Sequence, residues 1–540
     1  MKIKRIAILF ACLCMVCSLV ACDMEFGGLV GELLGSGEAP EVDVDNGLLT
    51  PPVQVEPETV WNEETLFPET EVLETWPIDT EPPQTWDEMT SEIATGGSVI
   101  EDLPGDLYAG ESVTVLGYKQ IDLGLPEVNY ADVVTQATLE RNLMMHQVYG
   151  IELELLFAED VINLTDLVKR DVQSGEGEFE IVYQQMARAA TDLATNGYLV
   201  NMHDLPYVSL SAEWWDPFCD EAYGMGGNLP MASGAVTPDA LLQTSLIVYN
   251  PALTTGLENL PHFVRKGSWN IYALMDAARY VTADLNGDGV ISAEVDRLGF
   301  AGTTFETDQA FAASTEAVII RKDADNLPVY ADQNVERINE VYATVYDLCI
   351  GNPSLYVSMS DYIASPDLAE MPAQAFAEGR VLFYGTTLQG AIELMGTGAS
   401  MGILPYPKYS SEEADYRSPV LSTASVVMVP QSARNLKLTG YTLEAMARAS
   451  YDLYGAAIEE AMLRGLTDAD SAEMLELIQC TRTVDFGSVY FSLNASNSTA
   501  VNLFQNGLSQ KHSGVNSAIK QTERALIKAL DKLIDQFSHG

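Results

Sequence analysis

Positive charge is what this chain has least of. Its 540 residues carry 28 Lys and Arg against 78 Asp and Glu, a net charge of −50. Nucleic-acid phosphates are held by Lys and Arg, so this balance excludes nucleic acid as a partner. It also repels an anionic membrane surface, so charge cannot hold the chain there. Cysteine is scarce in any useful pattern. Cys12, Cys14 and Cys17 sit in an N-terminal apolar run and Cys22 just beyond it, which leaves Cys219, Cys349 and Cys480. Three thiols so widely spaced make no disulfide framework and have no metal-ligand spacing; at most one pair could bridge. The five histidines (His146, His203, His262, His512, His539) are scattered and suggest neither a zinc site nor a histidine-based triad. The apolar run Ile6–Val20 has about 15 residues, short of the roughly 20 that a membrane span needs.

What the N-terminus does have is order. Lys2, Lys4 and Arg5 precede the apolar run, and small Ala21 follows it, the three-part plan of a secretory leader. Leu19-Val20-Ala21-Cys22 resembles the lipobox of bacterial lipoproteins. That resemblance implies removal of residues 1–21 and acylation of Cys22, with the body held at the outer face of the membrane of a Gram-positive-type bacterium. Two acyl chains hold a bilayer stably where one binds marginally. Between Arg5 and Lys119 there is no Lys or Arg, while Glu, Asp, Pro, Thr and Gly abound. Residues 22–110 are therefore expected to be a disordered, extended acidic linker. Loose repeats around Trp61, Trp76 and Trp86 lie in it and read as drift in a spacer.

Residues 111–540 are too many for one core and suit two lobes. Ser112–Tyr118 alternates and is β-branched, as a strand should be. Helix and strand then alternate: a helix at 130–149, a strand at 151–156, a helix at 165–174, a strand at 179–183 and a helix at 184–196. Later strands are expected at 246–249, 380–384, 401–404 and 425–429. Helices are expected at 269–283 capped by Ser268, at 334–349, at 360–378 broken by Pro366 and Pro372, and at 443–463, 472–478 and 514–537. Residues 317–320 suit either state. Strands and helices at this spacing predict an α/β fold with a largely parallel sheet in the first lobe.

An ordered set of landmarks runs through this region: Glu140-Arg141-Asn142, Glu180-Ile181-Val182, Leu205-Pro206-Tyr207 before Glu213-Trp214-Trp215-Asp216, Ser268-Trp269 leading to Asp284-Leu285-Asn286-Gly287-Asp288-Gly289, Gly402–Lys408 before Asp415-Tyr416, and Asp470–Leu475 before Val484-Asp485-Phe486-Gly487. Together they resemble the large clostridial-type extracellular solute-binding lipoproteins of ABC importers, within the carbohydrate-type family. The resemblance implies a two-lobed, type II periplasmic-binding-protein-like α/β fold with the ligand in the interlobe cleft. Lobe one is expected at about 111–245 plus 421–478, and lobe two at about 246–420 plus 479–540. It further implies a monomer that captures a small solute, carbohydrate or oligosaccharide being favoured, and hands it to an ABC permease without altering it. The alternatives are a ligand-sensing surface lipoprotein, a binder of peptide or another solute, and an extracellular glycan-processing enzyme, against which the lack of an acid/base pair counts.

The paired tryptophans are the first candidate ligand contacts. Trp214 and Trp215 offer faces for sugar C–H groups, with Asp216, Glu213, Asp415 and Tyr416 as polar partners. Tyr118 ends the first strand, where open α/β sheets place ligands. Tyr384 precedes the segment where sugar-binding relatives carry an aromatic. Asp284-x-Asn286-x-Asp288-Gly289-x-Ile291-Ser292 matches the start of a calcium loop, with Val290 in the backbone-ligand position. Val295 replaces the closing Glu, so Glu294 or Asp296 must serve instead; the ion expected is a structural Ca²⁺, with no other cofactor required. Gly398-Ala399-Ser400-Met401-Gly402 spells a hydrolase elbow, but a helix precedes it and a strand comes after, the reverse of what an elbow needs.

Overall fold

The alternating run at Ser112–Tyr118 forms the strand expected of it, inside a four-stranded sheet. Glu152–Ala158 pairs with one of its edges and Ile181–Gln185 with the other, both parallel. Ser425–Met428 closes the sheet antiparallel on Ile181–Gln185, so the chain returns to the first lobe late in its course. The computed structural model describes residues 103–105, 107–118, 133–463, 465–466, 469–493 and 498–539, all within one structural unit. The leader, Cys22, the acidic linker up to residue 102 and the expected helix start at Tyr130 lie outside the described residues. Among the described residues no helix is long and apolar enough to cross a membrane.

Local chemistry sets the helix ends in this lobe. Asp160 accepts the N–H groups of Ile162 and Asn163, so the helix spans Val161–Ser174, four residues earlier than the periodicity suggests. Gly175, at φ 70°, ends it. The expected helix at 184–196 starts later, because buried Gln184 stays in the strand. Its amide donates to the Val161 carbonyl at 2.8 Å and to Thr165 at 3.1 Å. Beyond the strand come a short helical turn at Met186–Arg188, a wider one at Ala189–Leu193 and a tighter one at Ala194–Asn196. Val133–Tyr149 packs on the long Leu436–Leu463 helix, with the hydroxyls of Thr138 and Tyr454 2.6 Å apart.

The second lobe is a mixed five-stranded sheet, in the order Gly402–Leu404, Ser245–Tyr249, Val381–Thr387, Leu298–Thr303, Leu355–Val357. Every residue of Val381–Thr387 is buried, as a central strand requires. Leu298–Thr303 runs parallel to both of its neighbours and is not among the strands expected from the sequence. Gly299 lets it lie against the Ile271–Val281 helix: a Cβ there would stand 2.0 Å from the Ala278 carbonyl oxygen. That helix is capped by Asn270, which accepts from Tyr272 and Ala273, and not by Ser268.

Among the described residues three segments meet where the lobes join. Thr244 bridges to Val420, the Leu421 N–H donates to the Gln243 carbonyl at 3.2 Å, and Ser418–Pro419 pairs in parallel with Arg482–Thr483. The second break falls earlier than 478. Ala469–Cys480 sits on the second lobe, held by Arg265, whose guanidinium pairs with both Asp470 and Glu473. After Arg482 the chain touches both lobes. Tyr490 donates to the Tyr223 carbonyl of lobe one at 2.6 Å, and Tyr342 of lobe two donates to the His512 carbonyl at 2.5 Å. The C-terminal segment is thus a strap across the two lobes, not a part of lobe two alone.

Candidate functional site: the interlobe cavity

Parallel strands present their carboxyl ends to the same edge of a sheet, and open α/β folds bind ligands there. Here the carboxyl end of Ile181–Gln185 in lobe one and that of Leu298–Thr303 in lobe two border one cavity of about 110 Å³. Gln185 and Ala187 form the lobe-one wall. The first turn of the Thr304–Ser314 helix, with Thr304, Phe305, Asp308 and Gln309, forms the lobe-two wall. Ser422 and Thr423 of a crossing segment line a third side; Asp485, Ser488, Ser492 and Phe504 of the strap line the fourth.

Gln309 ties the second lobe to the crossing. Its amide N–H donates to Ser422 Oγ at 3.1 Å and its carbonyl accepts the Ser422 N–H at 3.0 Å. Asp308 is buried and accepts from Tyr356 Oη at 2.5 Å and Thr304 Oγ1 at 2.9 Å. Burial outweighs those two bonds and pushes its carboxyl up to about 7. Asp485 caps the Phe486–Phe491 helix, taking the N–H and the hydroxyl of Ser488, both at 2.7 Å. Burial also raises it above the usual carboxylate range. Among the described residues no Lys, Arg, His or Cys lines the cavity, so its walls combine two acids with amides, hydroxyls and the rings of Phe305 and Phe504.

None of the eight residues proposed from the sequence as ligand contacts lines this cavity. Trp214 and Trp215 donate their indole N–H groups to the two oxygens of Glu444, each at 3.0 Å. Glu444 lies on Leu436–Leu463 and also accepts the Ser209 N–H, so the tryptophan pair pins a loop to the lobe-one helix. Asp216 takes two bonds from Arg482, at 2.7 and 3.1 Å, and one from Ser233 at 2.6 Å. It fastens the third crossing to lobe one. Glu213 is exposed, 3.4 Å from Tyr451 Oη.

Tyr118 is buried, its hydroxyl 3.1 Å from Ser425 Oγ. Tyr384 is buried under the lobe-two wall and donates to Glu306 at 3.4 Å. Burial, with the nearby charge of Glu393, pushes Glu306 up to about 7. Tyr416 donates to the Val264 carbonyl at 3.1 Å, and Asp415 is exposed. The groups that do face the cavity, above all Asp308, Gln309 and Asp485, are not among the sequence candidates. Asp485 stands within the Val484–Gly487 landmark, and an Asp before a helix signals a cap. Asp308 carries no local signal, because its helix is not evident from the sequence.

The loop at Asp284 closes on itself. Asp284 accepts the N–H groups of Gly287 and Gly289, Asn286 that of Asp288, and Asp288 that of Val290. Asp296 is fully buried and spends its oxygens on Leu285 and Ser292, while Glu294 is exposed. Among the described residues no three His, Cys, Asp or Glu are placed to hold a metal ion; of the calcium set Asp284, Asn286, Asp288, Val290, Ser292, Glu294 and Asp296, the side chains of Asp284, Asn286, Asp288 and Asp296 accept the loop's own N–H groups. Ser400 is exposed, after the Leu388–Met395 helix and before the Gly402–Leu404 strand, the reverse of a nucleophile elbow. Cys219 and Cys349 are buried free thiols, and Cys480 is free and exposed.

No family model and no curated protein matches the chain. Solved structures do. The GacH receptor of Streptomyces glaucescens, solved unliganded and with acarbose, is 14% identical with a TM-score of 0.49, over 78% of this chain and 98% of that one. MalX of Streptococcus pneumoniae, in complex with maltopentaose, is 16% identical with a TM-score of 0.45, over 76% and 100%. The substrate-binding protein Lmo0181 of Listeria monocytogenes, in complex with cycloalternan, is 12% identical with a TM-score of 0.47, over 78% and 99%.

Proposed function

We propose that this protein captures a small solute between its lobes and delivers it unaltered to a membrane permease, tethered at the outer membrane face through Cys22 and working as a monomer. The observation that carries this reading is the cavity walled jointly by both lobes, a crossing segment and the C-terminal strap. A solute there gains contacts from every wall only when the lobes are together, which is the differential affinity that shifts a population toward the closed form. Closure also excludes water and strengthens each polar contact inside. Phe305 and Phe504 supply faces for sugar C–H groups, and the acids and amides can take hydroxyls, so a carbohydrate fits the wall chemistry. About 110 Å³ is well below the roughly 300–1,000 Å³ of sites that enclose larger ligands, so a solute the size of one sugar ring or less is favoured over a chain of rings.

A thermal-shift series over sugars, polyols and short peptides tests this. A solute at about 100 times its Kd adds about 2.7 kcal/mol of stability, and at least one class is expected to raise the melting temperature by several degrees. A flat response across all three classes overturns the capture reading.

For the Asp284 loop we propose a staple made by its own Asx turns, with Ca²⁺ dispensable. Millimolar Ca²⁺ is expected to leave the melting temperature unchanged and to give no heat in calorimetry. A clear upward shift would mean that the loop rearranges around an ion.

A further inference from the structure

We propose that the solute places a protonated amine in the interlobe cavity, between Asp308 and Asp485. This deepens the capture reading and rests on it. The two carboxylates come from different parts of the fold. Asp308 stands on the first turn of Thr304–Ser314 in lobe two, and Asp485 on the strap that also holds lobe one. Both stand on the wall of the same cavity, Asp308 buried and Asp485 half-buried, and among the described residues no Lys, Arg or His stands on that wall to balance them. The guanidiniums next in sequence to wall residues, Arg188 beside Ala187 and Arg321 beside Ile320, are not part of it and pair with Asp192 at 3.1 Å and Glu316 at 3.3 Å, while Lys322 lies over the Phe486 ring.

Ser492 supplies an independent sign of a missing partner. It is 8% exposed, it lines the cavity, and its Oγ has no hydrogen-bond partner. Buried hydroxyls are nearly always bonded, so an orphan on a cavity wall marks a place where a ligand group belongs. A hydroxyl can accept from an ammonium or donate to a neighbouring ligand oxygen. Two uncompensated acids make an anionic solute costly to bury here. An ammonium restores the charge balance and brings three donors for the open acceptor capacity of the carboxylates. Hydrogen bonds to charged groups are stronger than neutral ones, so an amine should be selected over the matching alcohol by roughly 10-fold or more.

The test compares solutes that differ only in that group, by calorimetry on the whole folded chain. Glucosamine is set against glucose and N-acetylglucosamine, and putrescine against 1,4-butanediol, so that an amino sugar and a simple diamine are distinguished as sources. At least one amine is expected to bind 10-fold or more tightly than its neutral counterparts. That preference should fall several-fold in both Asp308→Asn and Asp485→Asn, with far-UV circular dichroism confirming that each variant is folded. Should either fail to fold, the amine affinity of the unaltered protein is expected to weaken several-fold between 20 and 500 mM salt, while neutral solutes are unaffected. Equal or tighter binding of the neutral sugars, or binding of glucuronate in place of the amines, overturns the charge preference while leaving capture intact. No binding by any of these solutes overturns both.

Discussion

Asp216→Ala is expected to destabilise the protein by roughly 3–5 kcal/mol, the cost of removing one partner from a buried ion pair. Asp216 and Arg482 are each 7% exposed at the side chain, and the guanidinium reaches both carboxylate oxygens. Alanine would leave a cation stranded in the wall between lobe one and the third crossing, where water cannot replace the lost charge. The Ser233 hydroxyl, now 2.6 Å from Asp216, would lose its acceptor too. Urea unfolding checks this as a fall in midpoint. A ligand-contact role makes the opposite forecast, with stability kept and affinity lost. The structure assigns Asp216 to the strut, so a variant measured well below its melting temperature should keep most of its solute affinity. Arg482→Met, which removes the charge but fills the volume, is expected to cost less in the Asp216→Ala background than in the unaltered chain. The second change removes a charge that already lacks its partner.

The second large effect is on pH dependence. Asp308 and Glu306 ordinarily titrate near 4, and burial raises both to about 7 in the fold. Between those values the folded chain keeps protons that the unfolded chain has released. Stability therefore falls as pH rises from about 4 to about 7 and levels off above. Each pH step of about one across that interval costs at most about 1.4 kcal/mol per group, so the two acids together tilt the profile by several kcal/mol. Relief of self-repulsion in a chain of net charge −50 works in the same direction, and it is common to every variant. Glu473 and Asp296, whose bonds hold them below the usual range, lose their contribution only at more acid pH. The unaltered protein is expected to have a higher urea midpoint at pH 5 than at pH 8. Asp308→Asn and Glu306→Gln should each reduce that difference, because the amide has no proton to release. A midpoint that rises toward pH 8, or a difference that both variants keep in full, contradicts this.

How much of the molecule is legible in its sequence depends on how local the cause is. Ser112–Tyr118 and Ser425–Met428 show β-branched or alternating runs and are readable as strands; that they share a sheet depends on contacts more than 300 residues apart. Leu298–Thr303 escapes such reading because two glycines and an alanine dilute its pattern. Gly299 is there to admit the Ala278 carbonyl, a tertiary requirement that local periodicity does not carry. Without that strand the Thr304–Ser314 helix behind it is hidden, and with it Asp308 and Gln309. The setting of the tryptophan pair is hidden for a related reason. Two adjacent indoles read as a sugar platform, but their partner, Glu444, lies about 230 residues away and gives no local sign. The DxNxDG run is legible as a tight turn, since Asx turns are local; what its carboxylates face depends on Asp296 being drawn inward by Leu285 and Ser292.

Small-angle scattering on the chain from residue 103 onward, with and without the solute that most raises its melting temperature, bears most directly on capture between lobes. A smaller radius of gyration with bound solute is expected, reversed when Asp308→Asn and Asp485→Asn are combined. A radius that does not change at saturating solute would contradict it.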